Sequence, residues 1–218
     1  MPDSRTKHPL FHVLGDEIPV VFFEGKIAGV FDYAIITTMK IVIATPLYPP
    51  DIAQPAPYVK ELARRLCPKH AVTVVTYGHH PEHSNGVEII TIDKRLSLPI
   101  RLVRFARALR KAAKASDIVY VENGPSVEFP AGIIARLTRT PLVVHLGDNV
   151  AHRHAGETIL YGLLERFAVS GAQAVITDTP PPRPEILPFD PPPHEAMAAY
   201  TTWWTNHLEH LEKIFTHV

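Results

Sequence analysis

Two short polar signals interrupt apolar runs near the middle of the chain: Glu122-Asn123-Gly124 follows DIVYV, and His145 and Asp148 flank Leu146-Gly147 at the end of PLVVHLGD. An imidazole in such a place can donate a hydrogen bond or act as a base, and a carboxylate can accept from a hydroxyl group. His145 and Asp148 are therefore the catalytic candidates, with Glu122, Asn123, Gly124 and Gly147 as binding candidates beside them. Plainer alternatives stand next to these. Asp148 can cap a turn, His145 can be a satisfied core histidine, and Asn-Gly is a favoured turn dipeptide. A third segment, LYPPDIAQPAP at 47–57, offers Tyr48 as a ring to stack on a ligand and Asp51 as an acceptor. Tyr48 before two prolines can equally serve to brace the loop.

The elements that must position these residues alternate. KIVIAT (40–45), AVTVVT (71–76), VEIITI (87–92), DIVYVE (117–122), PLVVHL (141–146) and QAVITD (173–178) read as strands. Segments 58–66, 100–115, 127–138 and 157–171 read as helices, the last closed by Gly171, and Pro130 is expected in the first turn of its helix. Strands alternating with helices require crossover connections, hence a parallel sheet covered on both faces. The nearly all-apolar strands fit that burial. The fold class is α/β, a doubly wound parallel sheet over residues 40–178 with expected order 3-2-1-4-5-6. Ligands in such a sheet bind at the carboxyl ends of strands where the order reverses, which points to loops 46–57, 122–127 and 147–156. A helix N-terminus near Pro57-Tyr58 favours an anion there. No G-x-G-x-x-G fingerprint is present, which argues against dinucleotide binding.

Around this core, residues 1–39 form an extension in which Ile18–Phe23 and Ile27–Phe31 read as a β-hairpin. Residues 179–193 hold eight prolines in 15 positions and read as a linker. Residues 194–218 return to helical spacing, with Ala198, Trp204, Leu208, Leu211, Ile214 and Phe215 as the apolar stripe, and are expected to pack back on the sheet domain.

Lys plus Arg equals Asp plus Glu at 22 each, so charge balance points to no nucleic-acid partner. The single Cys67 permits no intrachain disulfide and fits a cytoplasmic setting. No segment reads as a membrane span. The stretch Lys94 to Lys114 carries eight basic residues and no acidic one, with Leu102, Val103, Ala106, Leu109 and Ala113 as its apolar face. Such a helix can lie on anionic lipid, giving peripheral contact at the inner face of a membrane, or can simply cover the sheet with a solvated basic face. Histidines cluster at 79–83, 152–154 and at His207 with His210, but without a metal-ligand framework, so no metal is expected.

These motifs carry a resemblance. MKIVIATPLYPPDIAQPAPYVKELARRL resembles the opening of family-4, GT-B-type glycosyltransferases: a strand, then Y-P-P-x-x-G-G, then a helix of the Y-V-x-x-L-A type. VTVVTYG, GVEIITI, SDIVYVENG, PLVVHLGD and AVITDT follow in family order over residues 39–179. The resemblance implies a Rossmann-like domain, the N-terminal or acceptor-side half of the enzyme. It implies that Tyr48, Asp51, Ala53, Gln54, Tyr58, Glu122, Asn123, Gly124 and Gly147 line the substrate site, that His145 and Asp148 touch the sugar or acceptor, and that the acceptor is a glycan or lipid-linked molecule. The co-substrate would be a UDP- or GDP-sugar, with no tightly bound cofactor. Two departures matter. The family's Gly-Gly is Ala53-Gln54 here, and the proline linker and one helix stand where the resemblance leads one to expect the nucleotide-sugar domain. The expectation is therefore an acceptor half that needs a donor-domain partner chain or a homo-oligomer. The alternative is a non-catalytic binding or scaffold protein built on the same fold.

Overall fold

The computed structural model describes residues 38–53, 55–122, 124–146, 159–176 and 194–218. The expected hairpin and proline linker, together with Gln54, Asn123, Gly147 and Asp148, lie outside the described residues. The chain divides into two units, Met1–Thr38 and Met39–Val218, and every described strand and helix belongs to the second.

Its strands are β1 (Lys40–Thr45), β2 (Ala71–Tyr77), β3 (Val87–Ile92), β4 (Ile118–Glu122), β5 (Leu142–His145) and β6 (Ala174–Ile176). The helices are α1 (Ala56–Leu66), α2 (Leu98–Ala113), α3 (Pro125–Thr138), α4 (Ile159–Val169) and α5 (His194–His217). All strand pairs are parallel and the order is β3-β2-β1-β4-β5-β6, as the alternation predicts. The order reverses between β1 and β4.

Side chains alternate across the sheet with period two. Ile41, Ile43, Val72, Val74, Ile118, Tyr120 and Val143 meet Val59, Leu62 and Leu66 of α1 and Trp204, Leu211 and Phe215 of α5. Val42, Ala44, Val75, Val119, Val121 and Val144 meet α2 and α3 on the other face. Helix α5 is thus part of the core, and a Lys69–Glu212 ion pair joins it to the turn after α1. Full burial of Leu211 and Phe215 contributes roughly 1.5–3 kcal/mol each. Ala198, at the near end of the expected stripe, is exposed.

Two local expectations are corrected. Helix α3 begins at Pro125, so Pro130 sits inside it rather than in its first turn. Proline supplies no N–H to the carbonyl four residues back. That carbonyl, of Ser126, instead accepts a 2.8 Å hydrogen bond from the Tyr77 hydroxyl. Burial pushes the Tyr77 phenol well up, so the donor proton stays in place. The buried stripe of α2 is Phe105, Leu109 and Ala113, and Val103 is 51% exposed. The spacing of small and large apolar residues fitted two adjacent stripes, and the large Phe105 ring, stacked 4.7 Å from Tyr77, decides which faces the sheet.

Candidate functional site

Glu122 and His145 end β4 and β5 and are register partners. Tyr120 and Val143 precede them by two positions, so Tyr120, Glu122 and His145 lie on the α1/α5 face of the sheet. Glu122 and His145 are each 1% exposed. A charge-bearing group at that depth needs partners. Glu122 Oε1 lies 2.6 Å from His145 Nδ1 and accepts a 3.0 Å hydrogen bond from the Tyr120 hydroxyl. Burial, then the neighbouring Glu122 carboxylate, pushes the Tyr120 phenol far up, so it remains a donor.

Tyr58 sits in the first turn of α1, the helix that the proline-rich loop feeds, with Pro57 before it. Its hydroxyl is 3.0 Å from that of Tyr120 and 2.7 Å from His207 Nε2 on α5. Its ring stacks on Trp204 at 5.6 Å, and Trp203 stacks on His207 at 4.7 Å. Five polar side chains from α1, β4, β5 and α5 therefore form one connected chain: His207, Tyr58, Tyr120, Glu122 and His145.

The two crevice loops meet at Gly124. Its φ of +149° is a backbone conformation side chains rarely adopt, and a Cβ there would lie 3.3 Å from Pro46 Cγ. The Gly124 N–H donates to Glu128 Oε1 at 2.8 Å, and the Gly124 carbonyl accepts from the Val127 and Glu128 N–H groups at 2.8 and 2.9 Å. Glu128 thus ties down the start of α3.

The other sequence candidates in the first loop take different positions. Tyr48 is 2% exposed and packs in the core beside α1, where burial raises its phenol pKa. Its ring braces the loop rather than presenting a face. Asp51 pairs with Lys94 at 2.5 Å and so ties the loop to the turn after β3. Ala53 is exposed, and its carbonyl accepts from the Ala56 N–H at 2.9 Å at the entry to α1. Among the described residues, no group of three His, Cys, Asp or Glu is placed to hold a metal ion. His207, considered as a ligand from its spacing to His210, instead faces Tyr58.

Sequence reasoning missed Tyr120, Glu128 and the role of His207. The first was legible: a tyrosine two residues before Glu122 on a strand must share its face. Glu128 carried a weaker cue, a glutamate in the first turn of a helix. His207 meets Tyr58 across 149 residues, and no local pattern encodes that.

With this geometry in hand, the match to known proteins is specific. A family model, the glycosyl transferase 4-like domain, matches residues 55–198. The chain belongs to that family. The sheet is accordingly the Rossmann-like half of a GT-B glycosyltransferase fold. The chain is 29% identical over 140 residues to the UDP-N-acetylglucosamine–N-acetylmuramyl-(pentapeptide) pyrophosphoryl-undecaprenol N-acetylglucosamine transferase of Dechloromonas aromatica, covering 59% of this chain and 36% of that enzyme. It is 33% identical over 76 residues to the enzyme of the same description from Psychrobacter cryohalolentis, covering 34% of this chain and 21% of that one. A crystal structure of Anabaena Alr3699/HepE in complex with UDP aligns at 20% identity and a TM-score of 0.43, over 63% of this chain and 37% of that one. The glycosyl transferase 4-like chain thus spans about a third or less of the curated relatives it matches.

Proposed function

We propose that this domain is the acceptor-binding half of a GT-B transferase that moves a sugar from a nucleotide-sugar to a glycan or lipid-linked acceptor. The observation that carries the reading is the Glu122–His145 pair, buried at the carboxyl ends of β4 and β5 next to the reversal of strand order. Polar groups held there border the place where open α/β sheets bind ligands. Family membership supplies the reaction class, and both transferase relatives are described as acting on an undecaprenol-linked acceptor. The donor, a UDP- or GDP-sugar, is held by residues beyond this sheet, from a partner chain, a second copy or another part of a longer polypeptide. Transfer in this arrangement depends on close positioning of acceptor and donor.

A peripheral membrane contact fits a lipid-linked acceptor. On α2 and at its C-cap, Ile100, Val103, Arg104, Arg107, Lys111 and Lys114 follow helical spacing; Ile100 and Val103 are half-exposed and the four basic side chains exposed. An apolar strip flanked by basic residues suits an anionic bilayer surface. Among the described residues, no helix is long and apolar enough to cross a membrane.

The second reading, a binding or scaffold protein, draws on Ala53 in place of a family glycine, which adds a Cβ to the loop. Titration separates the two. The acceptor reading expects the isolated chain to bind a lipid-linked saccharide and not a nucleotide-sugar, and expects turnover once a donor domain is added. Micromolar nucleotide-sugar binding by the chain alone would remove the donor-elsewhere reading. Saccharide binding with no transfer in the reconstituted system would favour the scaffold.

A further inference from the structure

We propose that Tyr58 and His207 are positioning residues for His145: a one-way hydrogen-bond chain runs from helix α5 to the carboxyl end of β5 and keeps a proton on His145 Nδ1. That His145 belongs to an acceptor site rests on the function proposed above; the chain itself does not.

The direction comes from counting protons. Each tyrosine hydroxyl has one proton to donate, and an ionised carboxylate only accepts. Two side chains, Tyr120 at 3.0 Å and His145 at 2.6 Å, converge on the single oxygen Oε1 of Glu122. That is the arrangement of a carboxylate between two donors. The Tyr120 proton is then committed to Glu122, so the Tyr120 oxygen accepts from Tyr58 across 3.0 Å. The Tyr58 proton is committed in turn, so its oxygen accepts from His207 Nε2–H across 2.7 Å. At the far end, His145 faces Glu122 with Nδ1–H. Hydrogen bonds in such a chain polarise one another in a buried setting. Tyr58 strengthens Tyr120 as a donor, and that draws charge away from His145. The seat of α5 on the sheet, fixed by Trp204, Leu211 and Phe215, thereby tunes the imidazole at the end of β5.

The test uses the full chain with nitrogen-15 histidine and long-range proton–nitrogen correlation spectra at one pH. The wild type is expected to show His145 protonated on Nδ1 and His207 on Nε2. Tyr58→Phe keeps the ring on Trp204 and removes only the hydroxyl, so ring-current effects on His145 stay constant. It should shift the His145 Nδ1 proton further downfield, as Glu122 leans more on His145. Tyr120→Phe should shift it more and His207→Phe less, and the double variant of 58 and 207 should match Tyr58→Phe alone. His207→Gln, which keeps an N–H donor, should restore the wild-type position. Tyr58 is partly exposed, so its variant carries the test even where Tyr120→Phe fails to fold. A wild-type His145 bare on Nδ1, or an Nδ1 proton unmoved by Tyr58→Phe, overturns the proposal. The expected pattern together with a His145 signal indifferent to lipid-linked saccharides upholds the chain and removes only the acceptor reading.

Discussion

Glu122 and His145 stand directly opposite one another in the parallel register of β4 and β5, and Oε1 and Nδ1 are 2.6 Å apart in a region with 1% exposure on either side. Neither residue can be changed without consequence for the other. Removing one member of a buried pair leaves its partner desolvated and unmatched. Glu122→Leu should destabilise the domain by about 3–5 kcal/mol, whereas Glu122→Gln, which keeps the shape and one acceptor, should cost about 1–3 kcal/mol. Urea unfolding midpoints with unchanged slope would check the ranking.

The Tyr77–Ser126 bond makes a sharper prediction because it compensates for Pro130. Tyr77→Phe should cost about 1–2 kcal/mol by stranding the Ser126 carbonyl. In a Pro130→Ala background the restored N–H can serve that carbonyl, so the same substitution should cost distinctly less. A double-mutant cycle by chemical denaturation would measure the difference. Equal costs in both backgrounds would refute the compensation.

Gly124 should not tolerate a side chain. Gly124→Ala meets Pro46 at 3.3 Å in a backbone region that L-residues avoid, so a loss of about 1–3 kcal/mol is expected. Saccharide affinity should fall as well, since this glycine joins the two crevice loops. Isothermal titration beside thermal unfolding would report both.

His70 gives a pH dependence with a definite sign. Burial lowers its pKa below 6.5, against an opposing pull from Glu212, so the folded state prefers the neutral ring. The unfolded chain binds the proton more readily, so stability is complete above about pH 6.5 and declines as pH falls through the folded-state value. His70 Nδ1 accepts from the Met39 N–H at 3.3 Å, which also calls for the neutral ring. His70→Gln should flatten the slope of unfolding free energy on the acid side of neutrality. An unchanged slope would assign that pH dependence to other groups.

For α2, the membrane reading predicts partition onto anionic vesicles that weakens with salt. Arg104→Ala with Arg107→Ala removes two exposed charges and should lower partition by about 2 kcal/mol, roughly 30-fold. Co-sedimentation with and without phosphatidylserine would test it. Equal partition onto neutral vesicles would point away from electrostatic docking.

The sequence by itself determined the strand set, the parallel order and the place of the strand-order reversal. Those come from apolar runs of strand length alternating with helical spacing, information that is local and repeated along the chain. It also placed Glu122 and His145 at strand ends, because a polar residue after a buried run marks where the run stops. Only the tertiary structure decided their partners. The network depends on a shared register between β4 and β5, on α1 delivering Tyr58 from the crossover that covers that face, and on α5 arriving 149 residues after it with His207. The start of α3 and the buried stripe of α2 were decided the same way, by Tyr77, whose hydroxyl and ring reach across from β2. Local spacing states which residues share a face; it does not state which faces meet, because contact is settled by packing among elements far apart in the chain.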